Sequence, residues 1–365
     1  MIKMKAGIKQ RLVTLGAMII MFAISTPCQI PERQRLATAM PLGKEQSALL
    51  TPIDGPSAIT YSKGHLYVME TAGMRILSLD VRRETATLIL PPPIDPFTDD
   101  NSTLGGPTGL AVSQAGDIFV ADLGGKLAEV NSNAHSTSIR RTGLLEQFPQ
   151  IDAMAADPSN GTILILDRHT LLRWTPGNNE LTEIGGAYRN PGFSGDNGPA
   201  KDAKFHWPQG LAIDVRGNIF VADTENCRLR RIDAESGIIM TFAGGARCDS
   251  TGDGHSAKAA LLTNPGGVAV DSDGTVFVSE GCRIRRIDSE GTITTYAGKS
   301  NCGFSGDGGL ATNATIDARG LALDDDGNLY MTDFTHNRIR RIDARTHQIT
   351  TFAGNGLPHR VDVQM

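Results

Sequence analysis

Three histidines pose the sharpest chemical question in this chain. His169, His206 and His336 lie in separate segments, each beside turn-forming residues. Imidazoles gathered from separate strands can hold a zinc ion and leave a fourth position open to water or substrate. Six carboxylates recur with a different regularity: Glu70, Asp122, Asp167, Asp223, Glu280 and Asp333 each close a short apolar run. Together they would form an acidic ring for a cation or a basic ligand. Singly, each would accept turn N–H groups or pair with an arginine such as Arg228, Arg283 or Arg338. The sixfold recurrence favours the structural role, because a binding site breaks symmetry. Asp196, Asp253 and Asp307 stand in glycine-rich stretches whose carboxylate and carbonyl oxygens could serve calcium. Each stretch carries only one or two carboxylates, and the acidic runs at 271–274 and 324–327 read more simply as hairpin turns. No Gly-x-Ser-x-Gly turn, phosphate-binding loop or Cys-x-x-Cys pair is present, so no named reaction follows from the sequence.

The elements that must position these groups emerge when the chain is aligned with itself. Gly210–Gly244, Gly267–Gly298 and Gly320–Gly354 are copies of one unit, and Arg-Arg-Ile-Asp recurs at 230–233, 285–288 and 340–343, a period of 55 residues. Fainter copies begin at Ala58, Gly109 and Met154, making six. Each copy holds four strand signals separated by turns such as Arg216-Gly217-Asn218. The second strand of each is a nearly continuous apolar run, as a sheet covered on both faces requires. Ala111, Ala155, Ala212, Ala269 and Ala322 recur in the first strand, where a wedge-shaped unit has little room at an axis. The expected fold is all-β: a six-bladed β-propeller of four-stranded antiparallel blades.

The pattern Gly-Leu-Ala-Ile-Asp at 210–214, Gly-Asn-Ile-Phe-Val-Ala-Asp at 217–223, Arg-Ile-Arg-Arg-Ile-Asp at 338–343 and Ile-Thr-Thr-Phe-Ala-Gly at 349–354 resembles the NHL repeat. The linkers Gly192-Phe-Ser-Gly-Asp-Asn-Gly and Gly303-Phe-Ser-Gly-Asp-Gly-Gly are similar to those of bacterial and plant extracytoplasmic members. The resemblance is specific over 186–356 and diffuse over 56–185, where blade 3 carries Leu171-Leu172-Arg173-Trp174 in place of the arginine motif. It implies a recognition propeller. Amidating lyases of the NHL type hold zinc with histidines from separate blades, but His169, His206 and His336 do not match that pattern in register. Lactonase-like propellers carry acidic and amide ligands at the mouths of their innermost strands. Here those mouths hold Ser57, Thr108, Asp152, Gln209, Gly266 and Arg319, a single acid among six positions.

The remaining features bound the setting. A basic start (Lys3, Lys5, Lys9, Arg11) precedes an apolar run from Leu12 to Ile24, and Ala23-Ile24-Ser25 offers a cleavage site, so residues 1–25 read as a signal peptide. Residues 26–55 read as a linker segment, 56–356 as the propeller and 357–365 as a tail. Cleavage would take the net charge from −5 to −9, which argues against nucleic acid as a partner. No later segment is long and apolar enough for a stable membrane span. The expectation is a secreted or periplasmic binding or scaffold module for a protein or glycan, with no cofactor. Its ligand face would be the one bearing the long linkers, with Phe193, Trp207, Gln209, Phe304 and Arg319 as contacts. The competing expectation is a metal-dependent lyase or hydrolase using zinc or calcium at the channel mouth.

Cysteine spacing adds a covalent expectation. Cys227 and Cys282 precede the arginine motif in successive copies, and Cys248 and Cys302 follow the fourth strand, at separations of 21 and 20 residues. Export supplies an oxidising compartment. The expected bridges are Cys227–Cys248 and Cys282–Cys302. The alternative bridge Cys248–Cys282 would leave Cys227 and Cys302 two blades apart. Cys28 remains over, preceded by a proline that makes a poor lipidation signal.

Overall fold

The computed structural model describes residues 44–90, 106–122, 127–133, 136–141, 151–178, 180–188 and 190–357. The expected signal peptide over residues 1–25, Cys28 and the last eight residues of the expected tail lie outside them.

Six antiparallel sheets form, one per repeat copy, each a consecutive meander of four strands. Blade 1 comprises Pro56–Ser62, His65–Glu70, Arg75–Asp80 and Thr85–Leu90. Blade 2 comprises Pro107–Val112, Ile118–Asp122, Leu127–Asn133 and Ser136–Arg141, and blade 3 Ile151–Ala156, Ile163–Asp167, Thr170–Thr175 and Glu180–Gly186. Blade 4 is built from Gly210–Ile213, Ile219–Asp223, Arg228–Ile232 and Ile238–Gly244. Blade 5 follows with Val268–Val270, Val276–Ser279, Arg283–Ile287 and Thr292–Gly298, and blade 6 with Ala318–Leu323, Leu329–Asp333, Arg338–Ile342 and Ile349–Ala353.

Turn chemistry explains the meander. Asp214 Oδ1 accepts the N–H groups of Arg216 and Asn218, and Gly217 takes φ +83° to reverse the chain. Asp324 closes the same turn in blade 6 through the N–H groups of Asp326 and Asn328. The acidic run at 324–327 therefore organises a hairpin, as its sequence suggests.

The apolar runs are buried on both faces. Every residue of Ile118–Asp122, Ile163–Asp167, Ile219–Asp223 and Leu329–Asp333 is buried. Six apolar clusters fill the seams between adjacent blades, including the one joining blade 6 to blade 1 through Tyr330, Phe352, Leu66 and Val68. Burial of apolar surface between stacked sheets, about 25 cal/mol per Å², is what holds the ring together.

Two expectations need correction. The repeated alanines do not mark the crowding at the axis. Ala111, Ala212, Ala269 and Ala322 lie opposite Phe119, Phe220, Phe277 and Tyr330 in register and sit in the seams, where a ring occupies the space. Axial crowding falls on the glycines that precede them. A Cβ on Gly210 would lie 1.8 Å from the carbonyl oxygen of Gly266, and one on Gly267 would lie 2.1 Å from that of Arg319.

The linkers also do not stay on one face. Gly198–Pro199 pairs with the outer strand of blade 4 and His255–Ser256 with that of blade 5, each as a short fifth strand. Glu45–Ser47 does the same for blade 1, so the ordered ring begins before residue 56. Among the described residues, the blade 6 sheet holds only its own four strands and no N-terminal one. Blade 1 meets blade 6 side by side, with Gly354 N–H donating to Ala48 O at 3.0 Å and Gly55 N–H to Asn337 Oδ1 at 2.9 Å.

Candidate functional site

Four of the six strand-end acids, Glu70, Asp223, Glu280 and Asp333, are held in buried ion pairs, and Glu280 also borders the central cavity. Asp223, Glu280 and Asp333 are buried beside Arg230, Arg285 and Arg340, at 3.3, 3.2 and 3.7 Å, and all three arginines are fully buried. These partners sit two residues beyond the expected Arg228, Arg283 and Arg338. Blade 1 follows the expected register, with Glu70 held by the directly opposite Arg75 at 2.9 Å. Asp122 and Asp167 are likewise buried at their strand ends.

Each of the three arginines also grips the linker that precedes its blade. Arg230 meets Asp196 at 2.7 Å, and Arg285 and Arg340 meet Asp253 and Asp307 at 2.6 Å each. The second oxygen of each linker aspartate takes a hydroxyl from Thr241, Thr295 or Thr351 in the outer strand. The linker aspartates considered for calcium are thus engaged with guanidinium groups. Burial pushes the carboxyls of Asp223, Glu280 and Asp333 above their usual range. Burial likewise pushes Glu70 up to about 7 against the pull of Arg75.

The three histidines divide. His169 and His206 come together with ring centroids 6.0 Å apart, across the seam between blades 3 and 4. His169 Nδ1 accepts the backbone N–H of Trp207 at 3.2 Å, a neutral-imidazole arrangement. Burial, then the nearby His206 and Arg168, lower its proton affinity. His336 is elsewhere, on blade 6, with Nδ1 2.6 Å from Asp333 Oδ1. A three-histidine centre is therefore not assembled. Among the described residues no group of three or more His, Cys, Asp or Glu side chains is arranged to hold a metal ion.

The five expected contacts also divide. Phe193 lies under Arg228 and Arg230, at 3.8 and 4.8 Å from ring to guanidinium, and Phe304 lies under Arg338 and Arg340, at 4.2 and 4.9 Å. Both rings are partly exposed but serve as platforms for structural arginines. Gln209 and Arg319 instead line a central cavity of about 710 Å³. Trp207 is not in its wall. It stands two residues from Gln209, within roughly 7–8 Å by chain geometry, with its indole 36% exposed. Its φ is +47°, a region that bulky residues rarely occupy, and Asn264 takes the same conformation one blade on.

The cavity is the channel mouth. The first strands of all six blades contribute to it, and all six predicted mouth residues, Ser57, Thr108, Asp152, Gln209, Gly266 and Arg319, line it. Arg319 stacks on Phe334 at 3.4 Å, while the Thr108 hydroxyl is buried without a hydrogen-bond partner among the described residues. Asp152 accepts the N–H of Arg168 at 2.8 Å. The wall also takes in Thr263, Asn264, Asp317 and the bridge between Cys282 and Cys302, which sequence reasoning did not place there. Asn264 was detectable as the counterpart of Trp207. The turn after Ser279 is two residues shorter than its counterpart in blade 4, a difference the aligned copies already show, while the approach of the Cys282 segment to the cavity is seen only in the fold.

Both expected bridges are present. Cys227–Cys248 and Cys282–Cys302 join with Cα separations of 5.3 and 4.3 Å, each tying a linker to the blade before it.

Comparison with known proteins agrees with this architecture. The teneurin NHL domain family matches residues 245–305 and the NHL repeat matches residues 205–232. Human Teneurin-4 is 28% identical over 218 residues, covering 54% of this chain and 7% of its own length. Drosophila melanogaster Teneurin-m is 26% identical over 275 residues, covering 68% of this chain and 10% of its own. Protein SUPPRESSOR OF QUENCHING 1 of Arabidopsis thaliana is 29% identical over 151 residues, 38% of this chain and 14% of its own. The chain therefore spans only a small part of each relative.

Among solved structures, an auxiliary nutrient binding protein from Bacteroides thetaiotaomicron superposes with a TM-score of 0.60 at 14% identity, over 82% of this chain and 70% of that one. A streptogramin B lyase superposes at 0.51 and 15% identity, over 84% and 97%. One neighbour is named for binding and another for catalysis, so the shared fold leaves the chemistry to the site. Repeat and ring agree: the chain is a six-bladed β-propeller, with an NHL repeat at residues 205–232 and a teneurin NHL domain match at 245–305.

Proposed function

We propose that this propeller is a non-enzymatic recognition module acting outside the cytoplasm, taking a polar element of a protein or glycan ligand into its channel mouth. The observation that carries the reading is the contrast between repetition and variation. Strand-end acids, linker aspartates and buried arginines recur from blade to blade as supports. At the mouth, one position per blade carries six different residues, Ser57, Thr108, Asp152, Gln209, Gly266 and Arg319, around one cavity of about 710 Å³. A cavity of that size with a few convergent polar groups is the usual form of a ligand site. Gln209 and Arg319 are exposed and line the mouth, and Trp207, two residues before Gln209 in the chain, is also exposed. The two bridges support an oxidising compartment.

The reading requires no cofactor. The rival, a metal-dependent lyase or hydrolase, draws on the His169–His206 pair and would need further ligands from outside it. Elemental analysis of the purified chain separates the two: stoichiometric zinc or calcium would overturn the recognition reading. Its positive test is a screen of glycans and extracellular protein ectodomains, with hits retested against Gln209→Ala/Arg319→Ala. Hits should weaken at least tenfold; hits insensitive to the double substitution would remove the mouth as the site.

A further inference from the structure

A second crevice lies on the face opposite the channel mouth, between blades 3 and 4, with a volume of about 540 Å³. Its rim is the first hairpin turn of each blade, the turn between the third and fourth strands of blade 4, and Pro199–Lys201 of the linker. Ile184, Ile219 and Ile232 form its apolar wall, and Arg173, Lys201 and Arg216 bring cationic groups to it.

Comparison between blades of this molecule makes Arg173 unusual. It pairs with Leu164 in register, as Arg231 pairs with Phe220 and Arg341 with Tyr330. In blades 4 and 6 that arginine meets a carboxylate two residues on, Asp233 at 3.1 Å or Asp343 at 3.4 Å. In blade 3 the corresponding residue is Thr175, which cannot neutralise it. Arg173 has no ion pair or hydrogen bond from its side chain among the described residues, and its Nε is buried.

The two acids that line the crevice are already engaged. Asp157 accepts the N–H and hydroxyl of Ser159 and the amide of Asn160. Asp233 accepts the N–H and hydroxyl of Ser236 and pairs with Arg231. Counting Arg231, the local cations exceed these acids by two, in a chain whose net charge is −5.

We propose that this crevice is a second binding site, for a small organic anion. Its carboxylate, sulfate or phosphate group would meet Arg173 in the planar, two-pronged fashion that guanidinium groups favour, with Lys201 and Arg216 adding charge. Its carbon skeleton would lie against Ile184, Ile219 and Ile232.

The test is calorimetric titration of the full chain with sodium sulfate and with sodium hexanoate, ionic strength held constant with sodium chloride. Saturable binding of at least one probe is expected, the tighter one showing whether the site favours a tetrahedral or a carboxylate head group. Arg173→Met should weaken it at least tenfold, while Arg286→Met, the register equivalent in blade 5, leaves it unchanged. Should Arg173→Met fail to fold, Lys201→Ala on the exposed rim serves instead, with a threefold weakening expected. No saturable binding of either probe, wild-type affinity in the folded variant, or equal weakening by Arg286→Met would overturn the proposal. Channel-mouth substitutions such as Arg319→Ala should leave these titrations unchanged, so the two sites fail or stand separately.

Discussion

Arg285 is the most informative residue to remove. Its guanidinium is fully buried, 3.2 Å from the equally buried Glu280 and 2.6 Å from Asp253, and it also donates to the carbonyl of Thr251. Arg285→Met keeps the apolar stem and deletes the charge. Glu280 would retain the Ser250 hydroxyl and the Thr263 N–H, at 2.6 and 2.8 Å, but no cation in direct contact. Removing one partner of a buried pair destabilises by about 3–5 kcal/mol. At roughly 2–4 °C per kcal/mol for a large domain, the melting temperature should fall by about 6 °C or more.

The loss carries a pH signature. Burial already raises Glu280 above its ordinary value of 4.5, and Arg285 opposes that rise. Without Arg285 the carboxyl rises further, so the folded state keeps a proton that the unfolded chain releases. Stability contributed by a raised carboxyl is largest below its ordinary value and declines as pH climbs through the folded value. The deficit of Arg285→Met should therefore grow from pH 5 to pH 8. Urea unfolding of the oxidised protein, followed by circular dichroism at both pH values, measures it. Glu280→Gln/Arg285→Met should recover more than half of the loss, since no charge remains buried. A deficit below 1 kcal/mol, or a double variant no more stable than Arg285→Met, would refute the reasoning.

Three further expectations follow from named contacts. Cys248 and Cys302 are both exposed, but Cys227 is fully buried while Cys282 is half-buried and borders the channel, so graded reductant should open Cys282–Cys302, the bridge accessible at both sulfurs, first; alkylation and peptide mapping would show the order, and each bridge should contribute about 3 kcal/mol. Glu70, pushed up to about 7 by burial, should make stability decline between about pH 5 and pH 7; that component should vanish in Glu70→Gln unfolding curves. Gly210→Ala, whose new Cβ would strike the Gly266 carbonyl, should lose about 3 kcal/mol or more, while Gly177→Ala, with nothing within 4 Å, should stay within about 0.5 kcal/mol of the parent; thermal melts compare them directly.

The order in which these facts become readable has a physical basis. Fold and blade number are legible because short-range signals recur: a nearly continuous apolar second strand ending in an acid in all six copies, and an Asp-x-x-Gly turn and an arginine-rich third strand in the last three. Such signals act within a few residues and need no distant partner. The bridges are legible for a related reason, since nearly equal spacing, 21 and 20 residues, in two copies of one scaffold places each cysteine pair alike. The channel-mouth residues follow too, because register in a meander carries one position per blade to the axis.

What the linear chain leaves open is decided by contacts between segments far apart in it. Arg228 and Arg230 lie on one strand, and sequence alone favours neither as the partner of Asp223. The choice falls to Arg230 because its guanidinium reaches both the strand-end acid and Asp196, more than thirty residues away on the linker. Phe193 and Phe304 read as exposed anchors until the fold lays arginines across them. His169 and His206 meet while His336 does not, because blades 3 and 4 share a seam and blade 6 lies across the ring. The isolation of Arg173 is of the same kind: Thr175 in place of an acid is visible in the sequence, but only the packing of blade 4 against blade 3 turns that missing charge into a cationic crevice.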